Sequence, residues 1–375
     1  MTREEWWLRL LMISGQKLQY IRRLKGLAYQ KLVLTANLLL QLGFSDKQHQ
    51  QFNAVDQAAL KLGLDWLALP NHYLVTYIDA DYPELLRNTP SAPLALFVSG
   101  EPGNLSKPQL AMVGSRCYSH YGETWASYFS QQLAAAGLVI TSGLAMGIDG
   151  ISHRGALASG GITVAILGSG LSRIHPRGHL RLAQQILDSG GSLVSEFLPF
   201  EAARAEYFPK RNRIISGLSL GVLVIEAEMR SGSLITAKYA LEQGREVFAI
   251  PGPLGSRNSE GTHSLIQQGA NLVAQPTDII EILNSSLRWL VLEQLVRYIR
   301  SFYHYKSMKI AMRWNPNFNS HHCWTMWGIN RPRPILLVKG LSFRRVMWLF
   351  SYWILSFWGD YIRSGRLCQN QIVSF

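Results

Sequence analysis

The sequence predicts an α/β fold in which helices flank a doubly wound, mainly parallel sheet that follows a small helical domain. Strand-like and helix-like segments alternate between residues 109 and 284. The strand-like runs are continuously apolar, as expected for strands that are buried on both faces. Residues 1–70 instead carry apolar residues at helical spacing.

The chain has 375 residues, of which 47% are hydrophobic and 16% are charged. This composition is typical of a folded soluble protein with two or three domains. Only three cysteines occur and none forms a CxxC pair, so the sequence indicates neither a disulfide framework nor a zinc site. The first residues carry acids and lack the apolar stretch of a signal peptide. We therefore expect a cytoplasmic protein.

The net charge of +13 is unevenly distributed along the chain. Residues 285–375 hold thirteen of the 37 Lys and Arg residues but only two of the 24 acids. That leaves 24 basic and 22 acidic residues in the first 284. A nucleic-acid site in that part of the chain must therefore be a local patch, because bulk basicity is confined to the tail.

Residues 1–70 are predicted to form a helical domain of the helix-hairpin-helix or SAM-like kind. A helix-spaced apolar run is interrupted by Gly15 and resumes over Leu18–Leu24. Ser45, with Gln48 three residues on, predicts a capping box at the start of a further helix. Two helices around one glycine fit either a hairpin that holds a DNA backbone or a bundle that only packs.

Residues 71–108 are predicted to be a connector with little helix, because prolines punctuate them, and to contain one strand at Leu94–Val98. Residues 109–284 are predicted to form the sheet domain. Its predicted strands are Leu110–Val113, Leu138–Thr141, Thr163–Leu167, Leu193–Ser195, Val222–Ile225 and Val247–Ile250. Its predicted helices are Tyr121–Ala136, Gly150–Ala158, His179–Leu187, Asn212–Ser216 and Ser233–Gln243.

Four of these strands end in turns of glycine and small polar residues, at the sheet edge where ligands of such folds bind. Amides at helix N-termini, hydroxyls and arginines in such turns are suited to hold phosphate groups. The turns are Gly114-Ser115-Arg116, Gly143 to Gly147 with Asp149, Gly168-Ser-Gly170 followed by Arg173, His175 and Arg177, and Ser231-Gly232-Ser233. The Walker motif is absent and the dinucleotide fingerprint is incomplete, so the sequence favours neither magnesium-dependent phosphate hydrolysis nor dinucleotide binding.

A basic stretch, Phe208–Gly217, places Lys210, Arg211 and Arg213 around Asn212 at a predicted helix start. Cations that contact phosphates and aromatic rings that stack on bases suit single-stranded nucleic acid. A solvated helix cap is the alternative interpretation. The stretch continues into two isoleucines, however, so part of it must face the protein.

A catalytic role is not favoured by the sequence. Ser142, His153 and Asp149 could form a nucleophilic triad, but no Gly-x-Ser-x-Gly elbow supports it. We interpret Asp149, Glu196 and Glu226 as acids that bond loop amides and orient arginines. No catalytic residue is therefore predicted.

These segments resemble the DprA/Smf family of DNA-processing proteins over residues 73–283. The motifs that carry the resemblance are Val113-Gly-Ser-Arg116, Ser142-Gly-Leu-Ala-x-Gly-Ile-Asp149, Ser195-Glu-Phe197, Phe208-Pro-x-Arg-Asn-Arg-Ile-Ile-Ser-Gly-Leu-Ser219, Arg230-Ser-Gly-Ser-Leu-Ile-Thr-Ala237, Glu246-Val-Phe-Ala-Ile-Pro-Gly252 and Leu265-Ile-Gln-Gln-Gly-Ala270. The resemblance implies an extended Rossmann-like domain that binds single-stranded DNA without sequence preference. It also implies protection of incoming DNA in natural transformation and loading of the recombinase RecA, without a cofactor, a metal or catalytic turnover.

The resemblance further implies which residues form the binding sites. DNA contacts are expected at Gly114, Ser115, Arg116, Gly143, Gly147, Gly168, Arg177, Lys210, Arg211, Asn212, Arg213, Ser231, Gly232 and Ser233. A homodimer and recombinase face is expected over His263–Val273, with His263, Ile266 and Leu272 as its members. The family usually has arginine where this chain has Met146, and one cation fewer should weaken DNA binding and flatten its salt dependence.

Residues 285–375 differ from the rest of the chain, since they hold seven of the eleven tryptophans but four of the 32 glycines. Family members often end in a winged-helix domain, which we cannot trace there. We hypothesise that this tail is translated out of frame in place of that domain; a genuine basic tail is the alternative. Its apolar run Val346–Trp358 is shorter than the ~20 residues that span a bilayer.

Two other functions stay open at this point. Similar folds with glycine-rich turns host nucleotide-binding and nucleotide-processing enzymes. A degraded copy without function is the second alternative, because of Met146 and the tail.

Overall fold

Nine strands form one sheet in the computed structural model, which describes residues 1–15, 18–26 and 35–284. The strands are β1 (His72–Thr76), β2 (Ala95–Gly100), β3 (Gln109–Val113), β4 (Val139–Ser142), β5 (Thr163–Ile166), β6 (Ser192–Ser195), β7 (Gly221–Val224), β8 (Glu246–Ala249) and β9 (Asn271–Leu272). Their order across the sheet is β1-β2-β6-β5-β4-β3-β7-β8-β9. All pairs from β6 through β9 are parallel, so the predicted mainly parallel α/β fold is confirmed.

Helices precede the sheet and connect its strands. They are α1 (Arg3–Met12), α2 (Leu18–Gly26), α3 (Asn37–Leu42), α4 (Asp46–Asn53), α5 (Gln57–Leu67), α6 (Glu84–Arg87), α7 (His120–Ala135), α8 (Ile148–Ala158), α9 (Leu180–Asp188), α10 (Tyr207–Leu218), α11 (Gly232–Glu242) and α12 (Arg257–Gln267). The chain from 276 to 284 is also helical. The predicted helices of the sheet domain are all present, with α10 longer than its predicted five residues.

The sheet is buried on both faces, which explains the continuously apolar strands. Successive residues of a strand point to opposite faces. In β3, Leu110 and Met112 therefore join one apolar core, together with Phe129 of α7. Ala111 and Val113 join the other core.

The strand order reverses beside β3. From β3 the chain moves outward through β4, β5 and β6 on one side, and then through β7, β8 and β9 on the other. The connections that follow β3 and β7 therefore leave the sheet in opposite directions and open a crevice at the carboxyl ends of these two strands. The topology thus selects one place on the sheet edge for a ligand.

The N-terminal helices pack onto the sheet domain. Trp6 and Trp7 of α1 are fully buried in the same apolar cluster as Phe97 of β2. The predicted capping box at Ser45 and Gln48 is confirmed, because both of its reciprocal hydrogen bonds are present at the start of α4.

Residues 71–108 contribute more to the sheet than their prediction as a connector suggested. β1 was not predicted, and both β1 and β2 belong to the main sheet, where β2 pairs antiparallel with β6. The prolines of this segment lie outside the two strands, so they mark the loops and do not prevent pairing.

The hypothesis about residues 285–375 lies outside the described residues. Within 1–15, 18–26 and 35–284, no helix combines the length and the apolar character needed to cross a membrane. The boundaries of the four predicted parts of the chain stay predictions.

Candidate functional site

A cleft of about 490 Å³ opens where the strand order reverses, at the carboxyl ends of β3 and β7. Its walls come from the β3 turn, the β4 turn, the first turns of α10 and the start of α11. The lining residues are Val113, Gly114, Arg116, Ala145, Asp149, Ala205, Phe208, Pro209, Arg211, Asn212, Ile215, Ser231, Gly232, Ser233, Ile235 and Thr236. Two of the four predicted turns therefore line the cleft directly, and the Gly143 turn does so through Ala145 and Asp149.

The β3 turn presents an exposed cation to the cleft. The Ser115 hydroxyl accepts a hydrogen bond from the Cys117 amide at 3.1 Å, which closes the turn locally. Arg116 is exposed, and its guanidinium carbon lies 5.6 Å from the centre of the Phe208 ring. A cation over an aromatic face is stabilised by the ring's negative potential while its hydrogen-bond donors stay available.

The β4 turn is held from beneath by a buried carboxylate. Asp149 accepts hydrogen bonds from the amides of Gly143 at 3.1 Å and Ala145 at 3.4 Å. Burial raises the pKa of Asp149, although Arg211 and these hydrogen bonds act in the opposite direction. The interpretation of Asp149 as an acid that bonds loop amides is therefore confirmed.

Two histidines fix the peptide groups on either side of Leu144 in the same turn. Leu144 has a left-handed φ of 56°, which costs a non-glycine residue of the order of 1 kcal/mol. Its amide donates to His153 Nε2 at 3.3 Å, and its carbonyl lies 2.9 Å from His179 Nδ1. Burial lowers the pKa of His153 to about 3, so its imidazole is neutral and can accept at Nε2.

Gly147 brings the first two turns together. Its φ is +87°, and a Cβ built there would overlap the Ser115 carbonyl oxygen. The next amide, that of Ile148, donates to this same carbonyl at 3.1 Å. Only glycine fits this close approach, so the predicted residue Gly147 positions the β3 turn.

Arg211 stabilises the backbone around the site and is buried beneath its surface. Its side chain is buried, and Nη1 donates to the Gly143 carbonyl at 2.6 Å and also to the Ile166 carbonyl. Burial lowers the pKa of Arg211 to about 10, against the favourable charge of Asp149. The guanidinium therefore ties the ends of β4 and β5 together, so removal of the Arg211 side chain is expected to destabilise the fold.

Arg213 is also buried, whereas Lys210 is not. Arg213 donates to the Ser91 carbonyl at 2.6 Å and forms an ion pair with Glu196. The Lys210 side chain is 55% exposed, and its Nζ lies 3.8 Å from the same carboxylate. The basic stretch thus divides into inward arginines and one outward lysine, which matches the prediction that part of it faces the protein.

The start of α11 supplies the opposite wall. The Ser231 hydroxyl caps the helix by accepting from the Ser233 amide at 3.3 Å, and Gly232 is exposed. Asn212 Nδ2 donates to the Gly232 carbonyl at 3.2 Å, which joins α10 to α11 across the cleft. A helix N-terminus in such a position attracts anions through its free amides and its dipole.

The third turn lies beside the cleft but does not line it. A Cβ at Gly168 would lie 2.9 Å from the Phe208 ring, so Gly168 makes room for this aromatic residue. Arg177 is exposed in a short 3₁₀ turn, and Met146, with a side chain 51% exposed, lies near the adjacent Gly178. Arg177 and Met146 therefore place a cation and a thioether beside the main cleft but outside it.

The three residues predicted for a dimer face lie on α12 and β9. His263 Nε2 is 2.9 Å from the Gly252 carbonyl, and Ile266 is partly buried. Leu272 is 52% exposed. Only Leu272 therefore offers a large apolar surface.

The side chains considered for catalysis have other partners. Ser142 Oγ donates to the Met112 carbonyl at 2.6 Å, while His153 Nδ1 lies 2.7 Å from Thr163 Oγ1. Because the Leu144 amide occupies the other nitrogen of His153, this side chain cannot act as the base of the triad considered above. Glu226 accepts from the Ser119 amide at 3.0 Å, as predicted for an acid that bonds loop amides.

Sequence reasoning missed Ile235 and Thr236 as lining residues. Both lie near the start of α11, four and five residues after the predicted Ser231, so helical spacing from that turn could have identified them. Among the residues that the structure describes, no group of three His, Cys, Asp or Glu side chains is placed to hold a metal ion.

Comparison with known proteins shows the family to which this chain belongs. The family model described as DNA recombination-mediator protein A matches residues 73–284, and the SMF/DprA SAM domain model matches residues 1–65. Protein Smf of Escherichia coli is 50% identical over 291 residues, which cover 77% of this chain and 78% of that protein. DNA processing protein DprA of Streptococcus pneumoniae is 45% identical over 54% of this chain and 71% of that protein.

Two solved structures are similar to this chain. The X-ray structure of DprA from Streptococcus pneumoniae has a TM-score of 0.65 and 37% identity, covering 75% of this chain and 98% of that one. A structure of DprA from Helicobacter pylori, described for its single-stranded DNA binding mode, has a TM-score of 0.51 and 27% identity, covering 55% of this chain and 94% of that one. This chain therefore belongs to the DprA/Smf family.

Proposed function

We propose that this protein binds single-stranded DNA without sequence preference in the cleft at the strand reversal, and that it acts there in DNA processing during natural transformation. The observation that carries the proposal is the exposed Arg116, which lies over the Phe208 ring and lines the same cleft as the N-terminus of α11. A cation, a ring and helix amides in one cleft can hold a phosphate and stack a base. The single-stranded DNA binding of the Helicobacter pylori relative supports the choice of ligand.

The proposal assigns different roles to the predicted contact residues. Arg116, Lys210, Arg177 and the amides near Gly232 would contact the strand, because they are exposed. Arg211, Arg213, Gly143 and Gly147 would shape the cleft. No turnover is proposed, since Asp149, Glu196 and Glu226 hold loops and arginines.

The test is an affinity measurement with fluorescent oligonucleotides in single-stranded and double-stranded form and with mononucleotides. We expect single strands to bind best, and Arg116→Ala to weaken their binding at least tenfold, since charge-assisted contacts contribute about 1.5–3 kcal/mol. Arg181→Ala, which removes an exposed arginine from α9, is the matched control and should leave the affinity unchanged. Tight binding of mononucleotides with indifference to long strands would instead favour the nucleotide-binding alternative.

We also propose that a homodimer of this protein loads the recombinase RecA onto the bound strand in the cytoplasm, with the dimer formed through the α12–β9 face. The exposed Leu272 supports this, because its apolar surface would be buried by a second copy. Leu272→Asp should shift the protein to a monomer in analytical ultracentrifugation and slow RecA filament assembly. Leu62→Asp, a change at an equally exposed leucine on α5, should do neither.

A further inference from the structure

A second cavity of about 210 Å³ lies next to the cleft, between α1 and the carboxyl end of β6. Leu11 forms one wall and Leu94 another. Pro93, Ala95 and Leu198 add apolar surface, and the polar and aromatic side consists of Glu196, Phe197, Glu201, Tyr207 and Lys210. Glu201 already accepts a hydrogen bond from the Tyr207 hydroxyl at 2.7 Å. Apolar, aromatic, acidic and basic groups therefore meet in a space that is large enough for one planar heterocycle.

The aromatic wall is a stacked pair that has cations at its sides. The rings of Phe197 and Tyr207 are 3.8 Å apart at 15°. Lys210 Nζ lies 5.2 Å from the centre of the Phe197 ring, and the Arg204 guanidinium lies 5.4 Å from that of Tyr207. Rings beside exposed cations are the elements that bind a nucleobase and its phosphate.

The acidic wall has an unused hydrogen-bond acceptor. Glu196 has a side chain that is 8% exposed, and one of its oxygens is bound by Arg213. The other oxygen, Oε1, is buried and accepts no hydrogen bond. An unsatisfied buried acceptor is costly, so a ligand that donates an N–H group to it would gain binding energy.

Lys210 covers this acceptor. Its ammonium lies 3.8 Å from Oε1, but its side chain is 55% exposed and can turn toward solvent. A phosphate nearby would attract the ammonium and uncover both Oε1 and the Phe197 ring. Tyr207 and Lys210 lie in the first two turns of α10, as do Phe208 and Asn212, which line the cleft. A strand bound in the cleft would therefore lie close to this cavity.

We infer that the cavity is a subsite for one nucleobase of the bound strand, which stacks on the Phe197–Tyr207 pair and donates an N–H group to Glu196 Oε1 while Lys210 turns to the phosphate. The inference rests on the proposed single-stranded DNA binding. Nothing in this site reads a particular base, because every natural base carries an N–H donor on its pairing edge.

The test compares two ligands in the full-length protein: a dT oligonucleotide, and an oligonucleotide of the same length whose sugar-phosphate backbone carries no bases. Leu94→Trp and Leu11→Trp fill the cavity from different walls, and Leu254→Trp, at a residue that is 91% exposed, is the matched control. We expect each filling variant to lose about fivefold or more in affinity for dT, the lower end of base stacking on an aromatic ring, and less than about twofold for the baseless strand.

The outcomes separate this inference from the proposed function. If the filling variants bind both strands as the wild type does, or lose affinity equally for both, the subsite is disproved while single-strand binding stands. If the wild type binds neither strand, both proposals are disproved. Thermal unfolding checks that both filling variants are folded. An equal loss of dT affinity in the two variants excludes a local distortion at one wall as the cause.

Discussion

Arg211 and Arg116 are both arginines in the cleft wall, yet they differ in what their guanidinium groups contact. Arg211 satisfies two backbone carbonyls in the interior, whereas Arg116 is exposed over a ring. We expect Arg211→Ala to lower the free energy of unfolding by about 3 kcal/mol, because buried acceptors lose a charged donor. Arg116→Ala should change it by less than about 0.5 kcal/mol. Urea unfolding of both variants measures this, and equal stabilities would contradict the structural role of Arg211.

His153 predicts a pH dependence of stability. Its pKa is about 3 in the folded protein, against the ordinary histidine value of 6.5, so the unfolded chain takes up the proton first as the pH falls. The stabilisation is complete above pH 6.5 and is lost as the pH falls toward 3, with a slope of up to about 1.4 kcal/mol per pH unit.

The measurement is urea unfolding at about pH 7.5, 6.5 and 5.5 for the wild type and His153→Gln, a range that spans the unfolded-state titration. We expect the variant to be less stable at the highest pH, because Gln cannot reach both the Leu144 amide and Thr163, and to lose less stability on acidification. His120→Gln changes an exposed histidine at the start of α7 and should keep the wild-type pH dependence. An unchanged slope in His153→Gln would show that another group titrates.

At the scale of elements, Gly147, the residue that precedes α8, sets the spacing between the β3 and β4 turns. Gly147 and Gly160 both have positive φ, but only Gly147 lies against a backbone carbonyl, that of Ser115. Gly160→Ala should cost about 1 kcal/mol of stability through φ alone. Gly147→Ala should cost more and should also weaken single-strand binding, because it displaces the turn that carries Arg116. Thermal unfolding and an oligonucleotide titration test this pair; equal effects would exclude the contact with Ser115.

Most elements of the sheet domain could be predicted because their signals are local. Apolar runs buried on both faces mark β3 to β8, and small-residue turns mark the helix starts. β1 could not be predicted so easily, since its pairing with β2 is antiparallel and its short run is framed by loop residues. The sequence predicted that part of the basic stretch faces the protein, but not that Arg211 and Arg213 are the buried residues. A run of cations does not reveal which of its side chains the tertiary structure buries.

At the scale of the whole molecule, a nearly neutral body predicts a moderate salt dependence. Exposed cations around the cleft are few, and each phosphate contact on a single strand adds about 0.7 to the slope of log Kd against log salt. Arg116→Ala should therefore lower the slope of the full-length protein by about 0.7, whatever the contribution of residues 285–375. A salt series from about 50 to 300 mM on the wild type, this variant and Arg181→Ala measures the difference. No change in slope would remove Arg116 from the phosphate contacts.

The apolar cluster shared by α1 and the sheet has a consequence for genetics. Trp6, Trp7 and Phe97 belong to one core, so an N-terminal lesion reduces the folded population of the whole described region and not that of the helices alone. A transformation-deficient allele that maps to the first helix would then mimic a DNA-contact allele in the cell. The two are distinguished by temperature: the core allele should recover function when cells are grown cooler, whereas the contact allele should stay defective.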